Sequence, residues 1–160
     1  MTYFTAHYDS PLGGMTMVSD GQVLTALCFD GTRRGLCFAD EMYATTKLPV
    51  FDDTRRWLDL YFAGKKPDFL PPLAPKGTAF QQRVWDILLT IPYGKTMSYG
   101  DVARRISPTM SAPAIGGAVG RNPIGIIIPC HRVIGADGSL TGYGGGLERK
   151  RWLLKLEGLL

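Results

Sequence analysis

The residues Pro129-Cys130-His131-Arg132 place a candidate nucleophile beside two groups that can favour its charged form. Sulfur attacks as a thiolate, and a thiol reaches that form at neutral pH only where the surroundings favour negative charge. A histidine can accept the thiol proton, and an arginine is a permanent cation. The pattern therefore indicates nucleophilic chemistry at Cys130. It leaves open the alternative of a buried, inert cysteine beside a solvated His-Arg pair.

The composition narrows the function classes. The 160 residues are 45% hydrophobic, which can supply a core, and no run of about 20 apolar residues exists to span a membrane. The net charge of +4 permits a polyanionic partner without requiring one. The N-terminus lacks the basic and apolar regions of a signal peptide. We therefore expect a cytoplasmic protein that does not bind membranes.

The cysteines and histidines predict neither a disulfide framework nor a metal site. There are three cysteines, Cys28, Cys37 and Cys130, with no CxxC spacing, which argues for a reducing compartment. The only histidines are His7 and His131, and no Cys or His pair has zinc-finger spacing. We expect no metal and no cofactor.

The N-terminal part has the pattern of a small sheet with one helix. Short segments rich in β-branched and aromatic residues predict strands over 3–8, 15–19 and 23–29, the last two joined by an Asp-Gly hairpin turn. Apolar residues at helical spacing predict a helix over 51–62. Four prolines within 67–75 indicate the linker to the next domain.

The C-terminal part predicts several short helices. Thr78 with Gln81 forms a capping box before an apolar helical repeat, and Ser98 with Asp101 forms a second. Ser111 is the predicted cap of the next helix, which ends near Gly120. Two short helices joined by a tight turn form a helix-turn-helix pattern, which is found both in DNA-binding proteins and in ordinary helical bundles. An amphipathic helix over 147–156, with Trp152, Leu153 and Leu156 expected to face inward, completes the chain.

The helix after Ser111 consists largely of small residues, which lets its backbone approach another helix or a nucleic-acid groove closely. Each interior glycine costs about 1 kcal/mol of helix stability, so this composition carries a penalty. Its small residues are Ala112, Ala114, Gly116, Gly117, Ala118 and Gly120.

Together these patterns predict an α+β protein of two domains. The N-terminal α/β domain, residues 1–70, has a three-stranded antiparallel sheet and a helix. A linker over 71–77 leads to a mostly helical C-terminal domain over 78–160, which contains the helix-turn-helix.

A wider set of residues points to a family. It comprises Tyr99, the small-residue helix, Asn122-Pro123, Ile126-Ile127-Ile128, the motif Pro129 to Val133, Tyr143 with its neighbouring glycines, and Glu157. In this set the chain from about 78 to 158 closely resembles the O6-alkylguanine-DNA alkyltransferases, also called methylated-DNA–protein-cysteine methyltransferases. The resemblance is weak over the N-terminal part.

The resemblance implies DNA repair by direct reversal. Proteins of this family flip an alkylated guanine out of the duplex and transfer its O6-alkyl group irreversibly to a cysteine, here Cys130. It further implies that His131 activates the cysteine through a water and that Glu157 orients the histidine. Asn122 would tie the recognition helix to the active-site loop. O4-alkylthymine is a further substrate that the resemblance allows.

The resemblance also implies a DNA interface and a base pocket. The protein would act as a monomer, and its helix-turn-helix would enter the minor groove of double-stranded DNA. Ala114 and Gly117 would allow the helix to approach the groove closely, and Arg121 would contact a phosphate. Tyr99 would contact the flipped base. Arg132 would contact the substrate or DNA, or would hold structure or raise the local potential. The predicted pocket residues are Val133, Tyr143 and Gly144, the last a position where some members carry serine.

One position departs from the family pattern. Members usually carry an arginine near the start of the recognition helix, which fills the gap left by the flipped base. This chain has Pro113 there. Proline suits the first helical turn but cannot supply a cationic finger, although it could act as a small apolar wedge. We expect weaker DNA binding or base flipping with unchanged thiol chemistry.

Three alternatives compete with this interpretation. A non-catalytic lesion-binding protein resembles relatives that have replaced the cysteine, usually with tryptophan, but Cys130 is present here. A cysteine hydrolase would need a distant base, for which His7 is a poor candidate. A zinc-stabilised regulator would need metal ligands that the sequence lacks.

Overall fold

The fold is described from a computed structural model covering residues 3–32 and 43–160. The chain divides into two compact units, one comprising Met1–Lys76 with Pro123–Gly125 and the other Gly77–Asn122 with Ile126–Leu160. Within the described ranges, no helix has the length and apolar character needed to cross a membrane.

The first unit is built on a mixed sheet of four strands in the order β3-β2-β1-β4. Strands β1 (Tyr3–Ser10), β2 (Gly13–Ser19) and β3 (Leu24–Phe29) are antiparallel, as the sequence predicted. A short fourth strand, β4 (Tyr43–Thr45), lies parallel to β1 and was not predicted. Three residues are too few for a period-two pattern to be recognised.

One helix, α1 (Pro49–Phe62), completes the first unit. It begins two residues earlier than predicted because Pro49 occupies the first helical turn, where its missing N–H costs nothing. The buried residues Trp57 and Tyr61 stack with ring centroids 5.3 Å apart. The apolar residues at helical spacing therefore contribute to the core, as expected.

The segment Pro123–Gly125 pairs with β3 inside the first unit. The Leu27 amide donates to the Pro123 carbonyl at 2.9 Å, and the Gly125 amide donates to the Leu27 carbonyl at 2.9 Å. Cys28, also in β3, takes part in a disulfide, so the expectation of no disulfide is wrong at this residue. A cysteine count cannot report which thiols are close in space.

The second unit contains four helices, α2 (Ala79–Leu89), α3 (Tyr99–Ile106), α4 (Ala112–Gly120) and α5 (Leu147–Leu156). Thr78 and Ser98 both form complete capping boxes, and the Ser111 hydroxyl accepts from the Ala114 amide. All three predicted caps are confirmed. Helices α3 and α4 pack on each other and form the predicted helix-turn-helix.

The inward face of α5 differs from the expected one. Leu153 is buried as predicted, whereas Trp152 and Leu156 are only partly buried. Lys150 and Leu154 take the buried positions instead. The helix is therefore rotated so that a lysine lies on the same face as Glu157, seven residues or two turns later.

Candidate active site

Cys130 begins a single turn of 3-10 helix, Cys130–Arg132, which leads directly into the two-residue strand β6 (Val133–Ile134). Proline before the cysteine restricts the backbone, and the Arg132 amide closes the turn by donating to the Pro129 carbonyl at 3.0 Å. Cys130 is 7% exposed and is not part of a disulfide. Its thiol is therefore sheltered from bulk water.

The loop before the cysteine is held by Asn122. Its side-chain Nδ2 donates to the Ile128 carbonyl at 2.8 Å, and the Cys130 amide donates to the same carbonyl at 2.8 Å. Ile126 lies between Asn122 and Ile128 in the sequence. It is the one non-glycine residue of the described ranges with a positive φ, 67°. A β-branched residue rarely adopts this conformation, so the fold must impose it.

Asn122→Asp tests the hydrogen bond from the Asn122 side chain to the Ile128 carbonyl. The aspartate has nearly the same shape but cannot donate, and it places a carboxylate beside the Ile128 oxygen. We expect a loss of about 1–3 kcal/mol in the free energy of unfolding and slower reaction of Cys130. Denaturant unfolding and the rate of alkyl transfer measure the two effects. Gln22→Glu makes the same amide-to-acid change at an exposed position and should cost less than about 0.5 kcal/mol. Equal losses of unfolding free energy in the two variants would show that the Asn122 side chain does not stabilise the loop before Cys130.

Glu157, immediately after α5, is the centre of a buried hydrogen-bond network. Its Oε2 lies 2.6 Å from His131 Nε2, and its Oε1 accepts from Arg132 Nε at 2.8 Å and from the Gly94 amide at 2.9 Å. The side chains of His131 and Glu157 are fully buried. Arg132 also donates to the Ile91 carbonyl at 2.8 Å. The carboxylate thus joins two consecutive residues of the cysteine turn to the segment after α2.

The electrostatics of this network favour a neutral histidine beside an ionised glutamate. Burial alone raises the pKa of Glu157, but the hydrogen bond from His131, the charge of Arg132 and the Gly94 N–H bring it down to about 2. Burial lowers the pKa of His131, with the charges of Arg132 and Lys150 acting in the same direction and Glu157 opposing them. A carboxylate can only accept, so His131 Nε2 carries the proton and Nδ1 is the basic nitrogen.

Two tyrosines flank the cysteine turn. The Tyr143 ring lies edge-on to the His131 ring, with centroids 6.5 Å apart, and burial followed by the charge of Cys130 holds the pKa of Tyr143 well above its usual value. Tyr99, the first residue of α3, is partly buried and donates its hydroxyl hydrogen to the Thr141 carbonyl at 3.2 Å.

The other two predicted pocket residues differ in burial. Val133 is fully buried in β6, which pairs with β5 (Met97–Ser98), whereas Gly144 is exposed.

Arg132, proposed as a substrate or DNA contact, is 7% exposed and its guanidinium is directed to protein acceptors. Its geometry fits a structural contact that fixes Glu157.

Helix α4 presents a nearly side-chain-free surface. Its buried side is braced by Trp85, whose indole N–H donates to the Ala118 carbonyl at 2.9 Å. A Cβ added at Gly116 would lie 3.9 Å from the Tyr99 ring, whereas one at Gly117 would meet nothing within 4 Å. The exposed positions are Ala112, Pro113, Ala114, Gly117 and, at the C-cap, Arg121.

The sequence interpretation missed three contributors to the site. Gly94 and Ile91 act through backbone atoms, which carry no residue-type signal. Lys150 is completely buried with its ammonium on two carbonyls. Its helical spacing from Glu157 was visible in the sequence, but a lysine among other charged residues is usually a solvated one.

Comparison with known families covers nearly the whole chain. Residues 79–159 match the model of the 6-O-methylguanine DNA methyltransferase DNA-binding domain. Residues 3–75 match the ribonuclease-like domain of 6-O-methylguanine DNA methyltransferase. The chain belongs to the 6-O-methylguanine DNA methyltransferase family. The membership includes the N-terminal part, where the sequence resemblance was weak.

Individual members of the family are similar over most of their length. A methylated-DNA–protein-cysteine methyltransferase of Haemophilus influenzae is 46% identical over 156 residues, which cover 97% of this chain and 86% of the relative. One of Mycobacterium bovis is 50% identical over 157 residues, covering 94% and 92%. The crystal structure of Mycobacterium tuberculosis OGT in complex with DNA superposes with a TM-score of 0.83 at 47% identity, covering 98% and 92%.

Proposed function

We propose that this protein repairs DNA by moving the alkyl group from the O6 atom of an alkylated guanine to the sulfur of Cys130. The arrangement that carries the proposal is a sheltered cysteine, outside any disulfide, whose neighbour His131 is held by a buried glutamate at 2.6 Å. The family membership supports a methyltransferase and does not favour a protein that only binds lesions.

The chemistry follows from the protonation states of the site. The Cys130 proton passes, through a water, to Nδ1 of His131, while Glu157 stabilises the positive charge that forms on the ring. The sulfur–carbon bond then forms as the carbon–O6 bond breaks. The electron pair of the broken bond stays on the guanine, which takes up a proton and is restored. No group in the site can remove the alkyl from sulfur, so each protein acts once.

The walls of the site suggest how the base is held. The Tyr143 ring contacts the His131 ring, and the Tyr99 hydroxyl donates to the carbonyl of Thr141, two residues before Tyr143. We assign Val133, Tyr143 and Gly144 to the pocket of the flipped base and Tyr99 to its contact. O4-alkylthymine presents an alkylated oxygen in a smaller ring and is included as a second substrate.

We assign the DNA interface to the exposed face of α4. A base inside a duplex cannot reach Cys130, so it must leave the stack. Ala114 and Gly117 lack bulk that would keep the helix backbone from a minor groove, and Arg121 at its end can contact a phosphate. We propose that one molecule acts alone, in the cytoplasm, without a metal or cofactor.

Intact-protein mass spectrometry tests the proposed function. The protein is mixed with duplex DNA containing O6-methylguanine and, separately, with O6-benzylguanine. We expect each molecule to gain the mass of a single methyl or benzyl group, located on the peptide that contains Cys130. If the mass remains unchanged while the thiol still reacts with iodoacetamide, the repair assignment is wrong.

Pro113→Arg tests the departure from the family pattern. Pro113 is exposed in the first turn of α4, where an arginine could reach into the gap left by a flipped base. We expect transfer from duplex DNA to become about tenfold faster, equivalent to about 1.4 kcal/mol, with transfer from free O6-benzylguanine unchanged. Pro113→Gln controls for the loss of proline without adding charge. A parallel increase on both substrates would mean that the change acts on the thiol and not on base flipping.

A further inference from the structure

Trp85, in the middle of α2, joins that helix to the last turn of α4. Its side chain is 1% exposed, and its indole N–H donates to the Ala118 carbonyl at 2.9 Å. The same carbonyl accepts from the Arg121 amide at 3.2 Å, where α4 ends. The last carbonyls of a helix lack partners within it, and a buried indole N–H needs an acceptor. The hydrogen bond therefore satisfies both groups and ties α4 to α2.

Helix α4 has little side-chain surface with which to pack. Three of its nine residues are glycine, and its buried residues are Ile115, Ala118 and Val119. Dispersion attraction grows with the number of contacting side-chain atoms, so a helix of this composition gains little from packing. A hydrogen bond from a rigid, buried ring to its backbone is therefore an important restraint on where α4 lies.

The chain of α2 also holds the cysteine turn. Directly after the helix, the Ile91 carbonyl accepts from Arg132 Nη1 at 2.8 Å, and Arg132 belongs to the same 3-10 turn as Cys130. Roughly two helical turns of chain separate Trp85 from Ile91, which leaves little room for the two attachments to move independently. One element thus fixes both the helix whose exposed face is assigned to DNA and the turn that contains the nucleophile.

We propose that Trp85 is a positioning residue for alkyl transfer from DNA. By holding α4 at a fixed place relative to the cysteine turn, it brings the flipped base of a bound duplex into line with the Cys130 sulfur. A misplacement of about 1 Å is enough to slow a reaction strongly, because the reacting atoms must be aligned. A free base is not attached to α4 and takes its position from the pocket alone. The inference rests on the proposed function and concerns the reaction of duplex DNA.

The first test compares Trp85→Phe with Trp57→Phe. Both changes replace a buried tryptophan of a helix by a smaller ring, but Trp57 lies in α1 of the other unit, where it stacks on Tyr61. Single-turnover transfer is measured over a range of duplex DNA concentrations, which gives a limiting rate and a Kd, and with free O6-benzylguanine. For Trp85→Phe we expect the limiting rate on duplex DNA to fall about tenfold, with the Kd and the free-base rate within about twofold of the unaltered protein. Trp57→Phe should leave all three quantities unchanged.

Two outcomes of this comparison would overturn the proposal. An unchanged limiting rate on duplex DNA in a folded Trp85→Phe would mean that α4 keeps its place without the indole. Equal losses of rate on duplex DNA and on O6-benzylguanine would mean that Trp85 supports the unit as a whole and not the alignment of the base.

The second test removes the hydrogen bond without creating a cavity. Site-specific incorporation of benzothienylalanine in place of Trp85 keeps the shape of the ring system but replaces the N–H by sulfur, so the donor to the Ala118 carbonyl is lost while the packing is retained. We expect slower transfer from duplex DNA, as in Trp85→Phe. Amides in the last turn of α4 should exchange with solvent faster, whereas those of α5 should not change. Exchange and transfer like those of the unaltered protein would contradict the proposal even if the phenylalanine variant failed to fold.

These measurements also separate this inference from the proposed function. If the unaltered protein transfers no alkyl group from either substrate, the repair assignment fails, and hydrogen exchange still reports whether Trp85 holds α4. If transfer occurs but the duplex and free-base rates respond alike to the changes at Trp85, the repair assignment stands and the positioning role is wrong.

Discussion

Cys130→Ala is expected to gain no mass from duplex DNA containing O6-methylguanine or from O6-benzylguanine. Cys130 is the sulfur beside the buried His131–Glu157 pair, and no other nucleophile is assigned to that pocket. Alanine removes the reacting atom while keeping a small, apolar side chain at a position that is 7% exposed. We therefore expect complete loss of transfer with little change in folding. Intact-protein mass spectrometry measures the transfer.

DNA binding provides the control for this variant. The exposed face of α4 does not include residue 130, so Cys130→Ala should bind alkylated duplex DNA with the affinity of the unaltered protein. Ala114→Glu, on that face, should show the reverse behaviour. It should weaken binding by charge repulsion from the phosphates and still react with free O6-benzylguanine. Mass gain in Cys130→Ala would identify a different acceptor and contradict the assigned chemistry.

Local signals explain which parts of the fold the sequence predicts. The caps at Thr78, Ser98 and Ser111 depend on residues three positions apart, and all three form as expected. The three antiparallel strands also follow from short-range alternation and turns. The strand β4 and the pairing of Pro123–Gly125 with β3 join segments far apart in sequence. Periodicity within a segment contains no information about such partners.

In the candidate site, too, short-range patterns were predictable from the sequence and contacts between distant segments were not. The motif around Cys130 and the pairing of His131 with Glu157 were accessible because a family resemblance supplied the long-range link. Arg132 was placed at the substrate or DNA, yet its guanidinium binds Glu157 and the Ile91 carbonyl. Residue type alone cannot distinguish a phosphate-binding arginine from one that pairs with a buried carboxylate, because both use the same donors.

A single-use nucleophile places a particular demand on its surroundings. An enzyme that turns over can compensate for slow activation of its nucleophile by reacting many times. Here each protein molecule contributes one transfer. The site meets this demand by fixing both ends of the proposed proton relay before substrate arrives. Asn122 holds the loop that precedes Cys130, and Glu157 holds the ring of His131. Preorganisation of this kind reduces the barrier without further binding energy from the base.

Glu157→Gln is expected to slow alkyl transfer by about 10²-fold or more and to destabilise the fold. The amide cannot hold the positive charge that develops on His131 during proton transfer, a contribution typical of general acid–base catalysis. It also leaves the buried Arg132 without a countercharge, and breaking such a pair by removing one partner costs roughly 3–5 kcal/mol. The rate is measured with O6-benzylguanine and the free energy of unfolding with denaturant.

Glu148→Gln is the matched control for that variant. Glu148 lies exposed in the first turn of the same helix, where its charge contributes only about 0.3–1 kcal/mol through the helix dipole. It should leave the transfer rate unchanged. If the two glutamine variants lose rate equally, the network at Glu157 is not part of the proton relay.

The pH dependence of unfolding distinguishes the charge of Glu157 from its shape. The pKa of Glu157 is lowered to about 2 in the fold, so its contribution is fully present above its unfolded value, about 4.3, and is lost as the pH falls through about 2. His131 also has a lowered pKa, so its contribution is present above about 6.5 and begins to fall at higher pH than that of Glu157. The difference in unfolding free energy between the unaltered protein and Glu157→Gln should therefore shrink between about pH 4.3 and 2. A difference that stayed constant over that range would mean that the glutamine disturbs packing alone, and that the carboxylate charge does not hold the cysteine turn.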